Sequence, residues 1–192
     1  EYTLVSVADY VLSHTPGTTV SNMSSTKALR DVTEARGQRY FASAVGEVNV
    51  VEKMKQENAV IGGEGNGGVI YPELHYGRDA LVGIALFLSL LAKSGKTCSA
   101  LRASYPNYEI SKNKMELTPE MNVDLILEKM AKKYADCEVL TTDGVKIMFK
   151  DEWVHLRKSN TEPIIRIYSE SRDMAAANAL ATKIMNEIKQ LL

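Results

Sequence analysis

The first half of the chain alternates short apolar runs with longer patterns in which apolar residues recur every three or four positions. At the N-terminus, Leu4, Val7, Ala8, Val11 and Leu12 have this spacing and predict an amphipathic helix that ends at the sequence HTPG. The runs TTVSNM, RYFASAV and NAVIG predict strands, and the segments between them predict helices. Because strands alternate with helices, we expect an α/β domain with a parallel or mixed sheet.

The second half has a different pattern. The polar, extended segment NYEISKNKMEL, from Asn107 to Leu117, marks a change of composition, so we place two domains at residues 1–110 and 111–192, with this segment as a hinge. TPEMNVDLILEKMAKKYA then predicts a helix capped by threonine, with Pro119 at its first position. CEVLTT, VKIMFK, WVHLRK and PIIRIYSE predict strands, and the last twenty residues predict a helix. We therefore expect a small α+β domain with a four-stranded antiparallel sheet and two helices.

Composition and charge narrow the function classes. With 45% hydrophobic and 24% charged residues the chain is typical of a globular protein, and its net charge of −1 provides no basic field for nucleic acid. The longest apolar run, Ala80–Ala92, is too short to span a bilayer and predicts a buried helix. The N-terminal segment lacks the features of a signal peptide. Cys98 and Cys137 have no metal-ligand spacing, so we expect reduced thiols in a cytoplasmic protein without membrane or nucleic-acid partners.

The segment RKSNTEPIIRIYSE suggests an anion site. Its KSNTEP portion is predicted to be the turn between two strands, in which backbone N–H groups can converge on an anion. The candidate phosphate ligands are Arg157, Ser159, Asn160, Thr161 and Arg166, because guanidinium groups on either side of such a turn suit a phosphate. The alternative is an ordinary hairpin with solvated arginines.

The glycine-rich segment IGGEGNGGVIYPE suggests a second site. Gly63, Gly65 and Gly68 satisfy G-x-G-x-x-G, but the proline-containing VIYPE follows where a dinucleotide site requires a helix. No Lys-Ser or Lys-Thr pair supports a Walker loop either. A carboxylate and an amide, Glu64 and Asn66, remain among the glycines and suit a neutral polyhydroxylated ligand. The alternative is a glycine-rich connection without a ligand.

The remaining polar residues offer weaker candidates. His75 lies soon after the glycine loop and is the candidate general acid or base, against the alternative of an ordinary loop histidine. Asp79 is expected to start the following helix. Ser24 and Ser25 lack an evident base, so we expect them to cap a helix rather than act as nucleophiles. We find no residue spacing typical of a metal site.

Together, the two loops resemble those of the α-D-phosphohexomutases, the group of phosphoglucomutase, phosphomannomutase and phosphoglucosamine mutase. RKSNTEPIIRIYSE is similar to the family's C-terminal phosphate loop, and GGEGNGG and VGEVNVVEKM are similar to stretches of its third domain. The resemblance implies phosphate binding by the five hairpin residues named above and sugar binding by Glu64, Gly65 and Asn66. The family loop usually has serine and histidine where this chain has Asn66 and Gly68, so no acid/base role is carried over.

The resemblance also implies a function. Family members are isomerases of carbohydrate metabolism that interconvert hexose 1-phosphates and 6-phosphates through a phosphoserine enzyme and a bisphosphorylated sugar. We expect this chain to be the C-terminal half, inactive alone, with the nucleophile and a Mg²⁺ site in N-terminal domains of the same polypeptide. The alternative is a stand-alone, non-catalytic module that binds sugar phosphates. Glucose, mannose and glucosamine phosphates remain open as substrates.

Overall fold

The chain folds into two compact units, each with its own sheet. The computed structural model describes residues 1–118, 121–159 and 162–191. The units are Glu1–Asn107 and Tyr108–Leu192. The predicted α/β class is confirmed, since the first sheet is mixed and the second is antiparallel. Within the described ranges, no helix is long and apolar enough to cross a bilayer.

The first unit alternates strands and helices, as its hydrophobic pattern predicts. Its described elements are, in chain order, α1 (Tyr2–Leu12), β1 (Thr19–Asn22), α2 (Ala28–Ala35), β2 (Tyr40–Ser43), α3 (Glu47–Gln56), β3 (Ile61–Glu64), β4 (Gly68–Ile70), α4 (Ala80–Ser94) and α5 (Cys98–Ala103). The strands pair in the order β2-β1-β3-β4. β1 runs parallel to both β2 and β3, whereas β4 runs antiparallel to β3.

The carboxyl ends of β1 and β3 lie side by side in the middle of this sheet. The chain leaves β1 for β2 through α2, and it returns past β1 to β3 through α3. Right-handed connections therefore place α2 and α3 on opposite faces of the sheet. Every residue of β1 and β3 is buried, as expected for strands covered on both faces. The direction of the connections reverses between these two strands, which is where open α/β sheets bind their ligands.

The long apolar run forms α4, but its outer face is not buried. Asp79 caps the helix by accepting a backbone N–H of the first turn at 3.0 Å, as predicted, and Gly95 ends it with φ of 63°. The prediction of a buried helix is wrong for one side. Leu81, Ile84 and Leu88 are 78%, 55% and 55% exposed, and their spacing puts them on one face.

The second unit is an antiparallel sheet covered by two helices. Its described elements are β5 (Glu109–Glu116), α6 (Val123–Lys133), β6 (Glu138–Leu140), β7 (Val145–Met148), β8 (Trp153–Lys158), β9 (Ile164–Ser171) and α7 (Met174–Gln190). The strand order is β5-β9-β8-β7-β6. Apolar residues of both helices and of one sheet face form its core: Val123, Ile126, Leu127, Met130, Val145, Ile147, Val154, Leu156, Ile165, Ile167, Leu180, Ile184 and Ile188. α6 is capped by Asn122 rather than by threonine, and Pro119 lies outside the described residues.

The sheet of the second unit has five strands in its described part, not the predicted four. The additional strand, β5, pairs with β9 from Glu109 opposite Ser171 to Glu116 opposite Ile164. Most of the segment that was predicted to be a hinge is therefore held in a ladder of backbone hydrogen bonds, and its role as a hinge stays a prediction. Its high polar content is typical of an edge strand, which the apolar pattern alone does not reveal.

Candidate functional site

The glycine-rich loop connects the end of β3 to the start of β4. Glu64 is the last residue of β3 and faces Gly68, the first residue of β4. Gly63 allows the two strands to approach, because a Cβ at this position would lie 2.0 Å from the carbonyl oxygen of Gly68. Asn22 ends β1, the strand next to β3. The loop thus lies at the carboxyl edge of the sheet, at the reversal between β1 and β3.

The Glu64 carboxylate is buried and held from two sides. Its Oε1 accepts a hydrogen bond from Asn22 Nδ2 at 2.9 Å, and its Oε2 lies 3.4 Å from Arg78 Nη1. A carboxylate offers about four acceptor positions, so two contacts leave capacity for ligand hydroxyl groups. The two neighbours fix the orientation of the carboxylate.

Asn66 and Gly65 shape the rest of the loop. Asn66 is exposed, and its Oδ1 accepts from the backbone N–H of Gly68 at 3.0 Å. The amide oxygen therefore stabilises the turn, while the amide NH₂ group can donate outwards. The N–H of Gly65 donates to Ser25 Oγ at 3.0 Å, and this hydroxyl donates to Asn22 Oδ1. The prediction that Ser25 caps a helix is wrong: it joins the glycine loop to the end of β1.

Arg78 is a site residue that the sequence analysis missed. Its Nε donates to Glu47 Oε2 at 2.8 Å and its backbone N–H donates to Glu47 Oε1 at 3.0 Å. These contacts, the backbone bond first, hold the pKa of Glu47 below its usual value. The Arg78 side chain also passes over Gly68, where a Cβ would lie 2.6 Å from Arg78 Cδ. The available signal was the glycine at position 68, where the similar family loop has histidine.

His75 lies outside the hydrogen bonds that hold the glycine loop. Its Nε2 is 3.0 Å from Asp79 Oδ2, and both side chains are partly exposed. Asp79 also caps α4 through the N–H of Val82. That bond, followed by the contact with His75, lowers the pKa of Asp79. A general acid/base role for His75 stays a prediction.

The hairpin of β8 and β9 places its two arginines face to face. Arg157 and Arg166 are directly opposite partners in the antiparallel ladder, so both side chains leave the same face of the sheet. Lys114 of β5 is in turn directly opposite Arg166 and is exposed. Three cationic residues therefore form a row across three neighbouring strands. Like charges in this arrangement destabilise a sheet unless an anion lies near them.

The turn beside this row is described in part. Ser159 is buried, and its backbone N–H donates to the carbonyl oxygen of Ile164 at 3.0 Å. The other two predicted ligands in the turn, Asn160 and Thr161, lie outside the described residues. The described part confirms the predicted hairpin, whereas the assignment of phosphate ligands in the turn stays a prediction.

The carboxylates near the two arginines lie at nitrogen–oxygen distances that are long for an ion pair. Arg157 Nη1 lies 3.5 Å from Asp143 Oδ2, and Arg166 Nη2 lies 3.4 Å from Glu162 Oε2. Charge-assisted hydrogen bonds between nitrogen and oxygen are shorter, at about 2.7–2.9 Å. The guanidinium groups can therefore turn to a better acceptor at small cost.

A buried histidine, His155, lies on β8, the strand that also contains Arg157. His155 Nε2 donates to the Asp143 carbonyl at 2.7 Å. Burial, aided by the charges of Lys146 and Arg157 and opposed by Asp143, lowers the pKa of His155 to about 4. His155 is therefore neutral at pH 7 and adds no charge beside the arginines.

Residues suited to a metal do not converge in the described part of the chain. No group of three His, Cys, Asp or Glu side chains there could hold an ion. These residues therefore do not fit a Mg²⁺ site, and no chemical step is assigned to a metal on this chain.

Comparison with known proteins divides the chain in a similar place. The family described as phosphoglucomutase/phosphomannomutase, alpha/beta/alpha domain III is matched by residues 1–108. The family described as phosphoglucomutase/phosphomannomutase, C-terminal domain is matched by residues 114–187. The glycine loop lies in the first match and the arginine hairpin in the second.

Individual proteins of this family are similar to the chain in sequence and structure. A phosphoglucosamine/phosphogalactosamine mutase from Sulfurisphaera tokodaii is 41% identical over 77% of this chain and 32% of its own length. A phosphoglucomutase/phosphomannomutase from Thermococcus kodakarensis is 36% identical over 96% of this chain and 41% of its own. The crystal structure of a phosphoglucomutase/phosphomannomutase family protein from Burkholderia thailandensis has a TM-score of 0.79 at 25% identity, covering 97% of this chain and 40% of that one. The chain spans about two fifths or less of these relatives.

Proposed function

The chain belongs to the phosphoglucomutase/phosphomannomutase family, and from this premise we propose that it is the C-terminal half of a phosphohexomutase. The proposed enzyme interconverts hexose 1-phosphates and hexose 6-phosphates through a phosphoserine enzyme and a bisphosphorylated sugar. This chain binds the sugar and the non-reacting phosphate. The nucleophile and Mg²⁺ belong to the remainder of a longer polypeptide.

The observation that carries the proposal is the pair Arg157 and Arg166. They are directly opposite on one sheet face, beside a turn that contains Ser159, so two guanidinium-bearing side chains are next to each other. Planar guanidinium groups bind phosphate oxygens two at a time, which gives both charge and geometry. A mutase must hold the same group in two orientations of its bisphosphorylated intermediate. A site that recognises phosphate by charge, independently of the attached sugar carbon, meets that requirement.

The glycine loop supplies the second part of the proposal. Glu64 accepts hydrogen bonds from sugar hydroxyl groups, and the NH₂ group of Asn66 donates to them. Neither contact depends on which end of the hexose carries the phosphate. We place the enzyme in the cytoplasm, which suits its two free thiols, Cys98 and Cys137.

The test is a ³¹P NMR time course on the longer polypeptide that contains this chain. Glucose 1-phosphate should be converted to glucose 6-phosphate, and Arg157→Gln should lower kcat/KM by at least about tenfold, since it removes charge-assisted hydrogen bonds of about 1.5–3 kcal/mol each. Lys158→Gln is the matched control, because this exposed neighbour points to the other face of β8. Binding of hexose phosphates without any interconversion would replace the mutase by a sugar-phosphate binding module.

We also propose that the exposed face of α4 contacts the remainder of that polypeptide. Leu81, Ile84 and Leu88 form an apolar stripe, and the relatives contain more than half of their length outside the matched region. Ile84→Gln should leave the melting temperature of the 192-residue chain unchanged and lower that of the longer polypeptide. Equal effects on both proteins would contradict this contact. Dimers of the 192-residue chain that Ile84→Gln abolishes would instead assign the stripe to a second copy.

A further inference from the structure

Arg78 links the two carboxylates that border the glycine loop. Its guanidinium contacts Glu47 through Nε at 2.8 Å and Glu64 through Nη1 at 3.4 Å. The side chain is 44% exposed, whereas that of Glu64 is 9% exposed. One cation thus connects a buried carboxylate at the end of β3 with a partly exposed carboxylate at the start of α3.

The glycine at position 68 is what gives Arg78 this path. A Cβ there would lie 2.6 Å from Arg78 Cδ and 3.2 Å from Arg78 Cγ. Real Cβ atoms do not approach other atoms so closely, so a larger residue at this position displaces the arginine from Glu64. Arg78 therefore passes through the space next to the backbone that a side chain at position 68 would occupy.

Glu47 fixes the direction in which Arg78 points. It accepts hydrogen bonds from both the backbone N–H and the Nε of Arg78. This two-point contact holds the guanidinium plane, and the remaining donors of the fork are directed to Glu64 and to solvent. A lysine at position 78 would keep the positive charge, but it could not make these fork-shaped contacts.

We propose that Arg78 is a positioning residue of the sugar site: it fixes the Glu64 carboxylate for sugar hydroxyl groups. The proposal rests on the proposed function, because it assumes that Glu64 binds the sugar. Arg78 acts through Glu64 and leaves the phosphate site on the β8–β9 hairpin unaffected.

Calorimetric titration of the 192-residue chain with two ligands, inorganic phosphate and glucose 6-phosphate, separates these roles. The wild-type chain should bind glucose 6-phosphate more tightly than inorganic phosphate. Arg78→Gln should reduce this preference by about fivefold while the affinity for inorganic phosphate stays within about twofold. Arg78→Lys should restore only part of the preference, and Glu47→Gln should lower it although it leaves Arg78 in place.

The outcomes distinguish a failure of the positioning role of Arg78 from a failure of the proposed function. An unchanged preference in Arg78→Gln overturns the positioning role and leaves the proposed function intact. Equal loss of affinity for both ligands shows a general structural effect and also overturns it. If the wild-type chain has no preference for the sugar phosphate, both the positioning role and the sugar-binding part of the proposed function are wrong.

Discussion

Replacing Arg166 with glutamine should not destabilise the chain in the absence of phosphate. The opposition of Arg166 and Arg157 costs about 0.2–1 kcal/mol, the usual penalty for like charges directly across a sheet. The contact of Arg166 with Glu162, at 3.4 Å and with half of the glutamate exposed, offsets about 0.2–1 kcal/mol. The two effects nearly cancel, so the free energy of unfolding should change by less than about 0.5 kcal/mol.

Phosphate should distinguish the variant from the wild-type chain. At tenfold excess over its Kd, a ligand that binds only the folded state stabilises it by about 1.4 kcal/mol, and each kcal/mol raises the melting temperature of a small domain by about 4–8 °C. The wild-type melting temperature should therefore rise by about 6–11 °C with inorganic phosphate. In Arg166→Gln the rise should fall below about half of that value, because one of the two guanidinium groups is lost.

The assay is thermal unfolding followed by circular dichroism at low ionic strength, with and without inorganic phosphate. Lys158→Gln is again the control, since it removes an exposed charge from the same hairpin and should keep the full effect of phosphate. A variant that loses more than about 1 kcal/mol without phosphate would refute the view that the two arginines repel each other. An undiminished stabilisation by phosphate would refute the role of Arg166 in binding it.

Three further predictions test other residues. Lys114→Gln should weaken binding of inorganic phosphate by about threefold. Lys112→Gln should not, because Lys112 lies one row further from the turn and 5.6 Å from a tyrosine ring centroid; equal calorimetric affinities of the two variants would remove Lys114 from the site. Gly37→Ala should lower the free energy of unfolding by about 1 kcal/mol, because φ is 69° and the space around Gly37 is open. Gly144→Ala should lower it by at least about 3 kcal/mol, because φ is 70° and the added Cβ would lie 2.1 Å from a backbone oxygen; equal urea midpoints would contradict this difference. The pKa of His155 is about 4 in the folded chain against about 6.5 in the unfolded chain, so stability is full above pH 6.5 and falls as the pH drops from 6.5 to 4. His155→Gln should reduce that loss by about 3 kcal/mol in urea titrations, and an identical pH profile would refute this prediction.

The sequence predicted the fold where hydrophobic periodicity was strong. α1, β1 and β7 to β9 follow their apolar patterns, because their side chains enter the cores of the two units. β5 was missed because an edge strand has one neighbour and exposes polar residues on both sides of its apolar positions. The apolar run of α4 predicted burial, yet half of that helix meets solvent. Hydrophobic composition indicates that a surface requires a partner, and it does not say which part of the polypeptide provides it.

The candidate site could also be predicted in part: contacts within one hairpin follow from the sequence, and contacts between separate elements do not. Arg157 and Arg166 could be paired from the sequence because a turn of fixed length joins their strands. The row with Lys114 depends on pairing between segments that are distant in the chain, and local patterns do not contain that register. Arg78 was overlooked for the same reason, since its contacts with Glu47 and Glu64 cross between separate elements.

The most direct test of the central claim is a ¹H–¹⁵N spectrum of the arginine side chains, recorded as inorganic phosphate is added. The Nε–Hε signals of Arg157 and Arg166, assigned from the Arg157→Gln and Arg166→Gln variants, should both move and should give one common Kd. That result would place both guanidinium groups on a single phosphate. Signals that stay unchanged, or that follow two different constants, would contradict a phosphate site between the two strands.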